Sequence, residues 1–125
     1  NNLSIINYID KWASKYEYIL VSVISPLRKT RSLAHKKFGK NYFEVYTNCN
    51  LKELIKRDTK GLYTKAKQKK INNLIGYNSS IKYEKTKYKK IIVNTAKEKI
   101  AVSASKILRN VCNYHNTGSF RGDIW

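Results

Sequence analysis

The sequence predicts an α/β fold, a parallel sheet with helices packed on its faces. Short apolar β-branched runs alternate with stretches of helical spacing, and the strongest run, residues 18–24, is apolar almost throughout. A strand buried on both faces of a parallel sheet needs such a run, whereas a half-exposed strand alternates. Pro26 and Gly39 punctuate the pattern where a strand should end and a helix should stop.

Taken in order, Leu3, Ile5, Ile6, Ile9 and Trp12 recur at the spacing of one helix face. Residues 18–24 form the first expected strand and end at Ser25-Pro26. Proline fixes its own backbone and donates no hydrogen bond, so it opens the next helix, residues 27–38, which Gly39 terminates. Residues 43–47 alternate weakly and predict a second strand, after which Asn50 is placed to cap a helix over 51–57. Asp58 and Gly61 break the chain before another basic helical stretch. Residues 91–94 predict a third strand, and 97–111 return to helical spacing through Ile100, Ala104, Ile107, Leu108 and Val111.

Between them, residues 65–90 are rich in Lys, Asn, Ser and Tyr without a strong period, as expected of a mobile loop or lid. One domain is predicted over residues 1–112, with a loosely ordered polar tail over 113–125. Ligands in parallel α/β sheets bind beyond the carboxyl ends of the strands, where Ser25, Asn48 and Thr95 fall.

The chain has 125 residues, so it can bury one modest core and hold one site. Its 26 Lys+Arg against 8 Asp+Glu give a net charge of +18, which favours nucleic acid, acidic surfaces or phosphorylated small molecules. Much of that charge is lysine among Asn, Ile and Tyr, the residues of A/T-rich codons, and no zinc spacing or RNA-binding signature accompanies it. A basic nucleic-acid-binding protein is therefore a minor alternative. Cys49 and Cys112 match no metal or redox spacing, and His35 and His115 have no partners for a triad or metal site. No apolar run approaches the ~20 residues of a membrane span, and no signal pattern opens the chain, so a cytoplasmic protein is expected.

Four segments resemble the adenylyl-sulfate kinase family of P-loop kinases: residues 20–31 (LVSVISPLRKTR), 43–46 (FEVY), 57–66 (RDTKGLYTKA), and 71–76 (INNLIG) with Tyr83-Glu84 after it. The third is the most specific, since helix formation alone does not call for it. The resemblance implies a three-layer parallel sheet of P-loop NTPase type, here lacking the first strand and phosphate-binding loop. No Gly-x-x-x-x-Gly-Lys-Ser/Thr occurs in the sequence. That loop cradles the ATP phosphates and holds magnesium through its hydroxyl, so without it phosphoryl transfer loses most of its positioning and charge neutralisation. The implied activity is ATP-dependent phosphorylation of the 3′-hydroxyl of adenosine 5′-phosphosulfate, with ATP and Mg2+ as cofactors. This chain alone is expected to be inactive. A homodimer or a complementing chain with the phosphate loop is the partner such a segment needs, and a non-catalytic remnant is the main alternative.

Each implied role has a plainer counterpart. Ser25 matches the family's substrate serine, though a Ser before Pro also simply ends a strand; Ile24 matches a residue packed on the adenosine. Arg28 and Arg31 match two arginines whose planar forks suit phosphate and sulfate oxygens, yet such pairs often form solvated faces. Arg57, for ATP, and Lys60, for substrate and catalysis, match the lid cations, with Gly61 as a hinge. Asp58 is expected to cap the helix after it. Asn73 and Leu74 fall where the family has a substrate segment with an aromatic ring on the adenine; Leu74 lacks that ring. The family's Asn-x-Arg-Arg substrate helix has no counterpart, because no Arg precedes Arg28.

Overall fold

The computed structural model describes residues 2–117. Five α-helices and two strands follow in the order α1 Asn2–Trp12, α2 Arg28–Phe38, β1 Val45–Asn48, α3 Leu51–Arg57, α4 Leu62–Lys67, β2 Ile91–Asn94 and α5 Ile100–Thr117. A single 3-10 turn, Gly39–Asn41, follows α2. The strands pair in parallel, with Val45 opposite Ile91 and Asn48 opposite Asn94. The fold is thus α/β around a small parallel sheet.

Local chemistry accounts for most boundaries. Gly39 ends α2 at φ 52°, where a side chain would be strained. Asn50 caps α3 by accepting from the Glu53 amide at 2.9 Å, and Glu53 places a carboxylate in the first turn, where the helix dipole favours it. β2 is the central element: Ile91 and Val93 are each 1% exposed, joined in the core by Ile6 and Ala66.

The expected strand over residues 18–24 is not one. Among the described residues no strand pairs with it, and its side chains face outward, Leu20 at 95% exposure. An apolar run becomes a strand only where neighbours accept and donate along its backbone, and the two-stranded sheet supplies none to this segment. The β-branched composition suits a sheet; the partner is what the segment lacks. The other strands lie within two residues of their expected bounds. α5 continues to Thr117, past residue 113 where the polar tail was expected to begin; the remainder of that tail lies outside the described residues.

A buried charged cluster braces the sheet. Arg31, 4% exposed, reaches Glu44, 6% exposed, at 3.4 Å. Its remaining nitrogens donate to the carbonyls of Ser25 (2.6 Å) and Pro26 (2.9 Å) and to that of Glu84, and its guanidinium lies 4.4 Å over the Tyr83 ring. Burial lifts the Glu44 carboxyl above the usual carboxylate range, against the pull of Arg31, Lys90 and His35. Removing one member of a buried pair leaves the other charge uncompensated, so Arg31→Met should lower the unfolding free energy by roughly 3–5 kcal/mol. A urea denaturation midpoint equal to that of the unaltered chain would contradict this assignment.

Candidate active site

The carboxyl ends of β1 and β2 are joined by Thr95, whose amide and hydroxyl both donate to the Asn48 carbonyl, at 2.8 and 3.2 Å. Onto this corner comes Arg57, the last residue of α3, donating from Nη2 to the Thr95 carbonyl at 2.8 Å and from Nε to Glu53 at 2.9 Å. Both contacts are solvent-exposed, so the guanidinium is oriented at the sheet's edge and still open to water. Asn48 and Thr95 therefore lie where a ligand of a parallel sheet is expected, with a cation beside them.

Directly after Arg57 the chain turns sharply. Asp58 stands at φ 21°, the Gly61 amide donates to its carbonyl at 2.8 Å, and Gly61 starts α4 in the left-handed region at φ 63°. The Asp58 carboxylate accepts from the amides of Tyr63 and Thr64, each at 2.9 Å, and from the Thr64 hydroxyl at 2.6 Å. It caps α4, as expected. Lys60 sits exposed at the tip of this turn, held by its backbone rather than by contacts of its own. The Thr64 hydroxyl, followed by the two amides, draws the Asp58 carboxyl below the usual range.

Ser25 belongs to a different neighbourhood. Its hydroxyl accepts from Asn2 Nδ2 at 3.0 Å, and its carbonyl is held by Arg31. Arg28 opens α2, its amide donating to Glu84 at 2.6 Å while its side chain stays exposed. Arg31 points inward, donating to main-chain carbonyls, and fixes the backbone at Ser25 and Pro26. Ile24 is 67% exposed beside them. Among the described residues, neither Arg57 nor Lys60 is hydrogen-bonded or ion-paired to Ser25, Arg28 or Arg31. The two groups are tied to opposite ends of β1, Ser25 through Arg31 to Glu44 and Arg57 through Thr95 to Asn48, about 13 Å apart along a strand.

Asn73 is exposed and Leu74 half-buried in a turn. The Leu74 amide donates to Asn78 Oδ1 at 2.9 Å, and its carbonyl accepts the amides of Tyr77, Asn78 and Ser79. Sequence reasoning named Glu84 and Thr95 without giving either a role; the structure has them orient Arg28, Arg31 and Arg57. Glu84 carried a signal in the Tyr83-Glu84 motif; Thr95 carried one only as a polar residue at a strand end.

A family model for adenylylsulphate kinase matches residues 1–94. The chain belongs to the adenylyl-sulfate kinase family. It is 36% identical over 95 residues to the adenylyl-sulfate kinase of Clostridium acetobutylicum, covering 76% of this chain and 44% of that protein. The adenylyl-sulfate kinase of Halothermothrix orenii is 39% identical over 89 residues, 71% of this chain and 46% of the relative. The cytidine diphosphoramidate kinase of Campylobacter jejuni subsp. jejuni is 33% identical over 93 residues, 74% of this chain and 53% of the relative. The chain thus spans about half the length of these relatives. No solved structure matches it.

The family uses ATP and magnesium. Exposed Arg57 and Lys60 fit the charge of a nucleotide's phosphates, but the residues present do not fit a magnesium site: no hydroxyl of a phosphate loop is in the sequence, and among the described residues no group of three His, Cys, Asp or Glu could hold a metal ion. No helix among them is long and apolar enough to cross a membrane.

The cap at α4 makes a pH prediction. A carboxyl held below its ordinary value stabilises the fold above that value and loses the contribution as pH falls through its folded pKa. The protection factors of the Tyr63 and Thr64 amides, exchange rates divided into the intrinsic rate at each pH, should therefore fall as pH drops below the usual aspartate range. Asp58→Asn should give faster exchange already at neutral pH; equal protection in both proteins at neutral pH counts against a charged cap.

Proposed function

We propose that this chain is the acceptor and lid portion of an adenylyl-sulfate kinase, working in the cytoplasm on adenosine 5′-phosphosulfate once a phosphate-binding loop is supplied. The observation that carries this is the family match over residues 1–94 together with the exposed Arg57–Lys60 turn at the carboxyl edge of the strands. Lys60 meets the transferring phosphoryl group and Arg57 the ATP phosphates, each stabilising charge that grows or shifts in transfer. Ser25 hydrogen-bonds the acceptor nucleotide, Ile24 packs on its nucleoside, and Arg28 offers a fork to its phosphosulfate. Asn73 and Leu74 line the acceptor from the lid side, and Arg31 holds the Ser25-Pro26 backbone in place.

For these roles to converge, the Ser25 and Arg57 groups must close on one ligand. A lid movement about the Asp58–Gly61 turn supplies that displacement, and the exposed 18–24 run gains backbone partners when a further strand joins the sheet. The strand and phosphate loop come from a longer polypeptide or from a complementing chain; a homodimer of this chain alone adds no phosphate loop.

A second reading is favoured by Leu74, which offers no aromatic ring for adenine: the acceptor is another nucleotide, as the similarity to a cytidine diphosphoramidate kinase suggests. The test is a longer polypeptide joining an upstream Gly-x-x-x-x-Gly-Lys-Ser unit to this chain, supplied with ATP and each acceptor. Conversion of adenylyl sulfate by the joined protein and none by the chain alone is expected; failure of the joined protein on both acceptors would leave a non-catalytic remnant. In the active protein, Lys60→Met should lower kcat by about 10²–10³-fold, the usual effect of losing one transition-state charge partner.

A further inference from the structure

A cavity of about 730 Å³ opens between α3, α4 and the turn after Leu74, lined by Ile55, Tyr63, Thr64, Lys67, Gln68 and Tyr77. Its walls come from both sides of the Arg57–Lys60 turn. The Tyr63 and Tyr77 rings meet edge to face, centroids 5.7 Å apart and planes at 83°. In such a pair the ring that presents its edge keeps both faces clear of its partner, so a third flat group can stack there. Lys67 and Gln68 are exposed at the rim, and among the described residues neither side chain is engaged in an ion pair or hydrogen bond. They offer an ammonium for an anion and an amide that can both donate and accept.

Tyr77 is held firmly for a surface residue. Its amide donates to the Leu74 carbonyl at 3.0 Å, Gly76 turns the chain at φ 83°, and Asn78 clamps both ends, accepting from the Leu74 amide and donating to the Ile71 carbonyl at 2.7 Å. A stacking platform needs this fixity, because ordering a loose ring on binding cancels much of what stacking gives.

We propose that this cavity is a nucleobase slot, in which Tyr77 supplies from three residues downstream the aromatic surface that Leu74 does not. The inference rests on the proposed nucleotide acceptor. Gln68 pairs with the edge of the base, as amide side chains pair with adenine, and Lys67 lies beside the phosphates. The base stacks on the exposed Tyr77 ring, a contact that tolerates any base and leaves the choice among bases to Gln68.

The test is calorimetry on the full chain with adenosine 5′-phosphosulfate, AMP and ribose 5-phosphate. AMP should bind at least about fivefold more tightly than ribose 5-phosphate, the low end of one stacked base. Tyr77→Ala should erase that gap while leaving ribose 5-phosphate binding unchanged, Tyr77→Phe should keep it, and Leu74→Phe in the Tyr77→Ala background should restore part of it. If the chain binds AMP and adenylyl sulfate but Tyr77→Ala binds both as tightly, the slot is wrong and the acceptor function stands. Binding of neither nucleotide by the unaltered chain overturns both.

Discussion

Arg31 is the contact on which the arrangement depends. One guanidinium spans the carbonyls of Ser25 and Pro26, the Glu84 carbonyl and the Glu44 carboxylate, so it ties the segment before α2, the long connection to β2 and the residue entering β1 to a single point. Such a brace is worth having in a sheet of two four-residue strands, where ladder hydrogen bonds alone are few. Planar geometry and permanent charge suit arginine to it; lysine could not reach four acceptors on separate segments.

The same brace explains how the candidate site is divided. Ser25 is fixed by Arg31, while Arg57 is fixed by the Thr95 carbonyl and the Lys60 backbone by the capped turn. Each half is locally well determined. Leading into the Ser25 half is the exposed 18–24 run, seven residues of sheet-forming composition with Leu20 almost wholly in water. Exposed apolar surface of this extent is unfavourable at about 25 cal/mol per Å², a standing drive toward a covering partner. The chain spans about half the length of its relatives, and its own sheet of two strands leaves this run without a ladder.

The lid is where family pattern and this chain diverge most usefully. Asp58 and Gly61 form the turn that the Arg-Asp-Thr-Lys-Gly-Leu-Tyr run implied, because a carboxylate at a helix start and a glycine in left-handed conformation are local requirements. Leu74 breaks the pattern, and the ring it lacks is found at Tyr77 only because Gly76 reverses the chain there. No spacing rule connects those two positions.

By itself the sequence determined what depends on neighbours along the chain: helices α1 to α5 in outline, the stop at Gly39, the Asn50 and Asp58 caps, the strand at 91–94, and the family through four motifs. These follow from side chains acting within a few residues of themselves. Tertiary structure decided the rest. Arg31 read as a substrate-facing arginine, or else one of a solvated pair, and is buried against Glu44; residues 18–24 read as a strand and remained without a ladder, because a strand is a property of pairs; Tyr63 and Tyr77 became walls of one cavity only when the 74–79 turn folded back. Burial and pairing depend on distant partners, and a linear pattern carries no record of which partners are present.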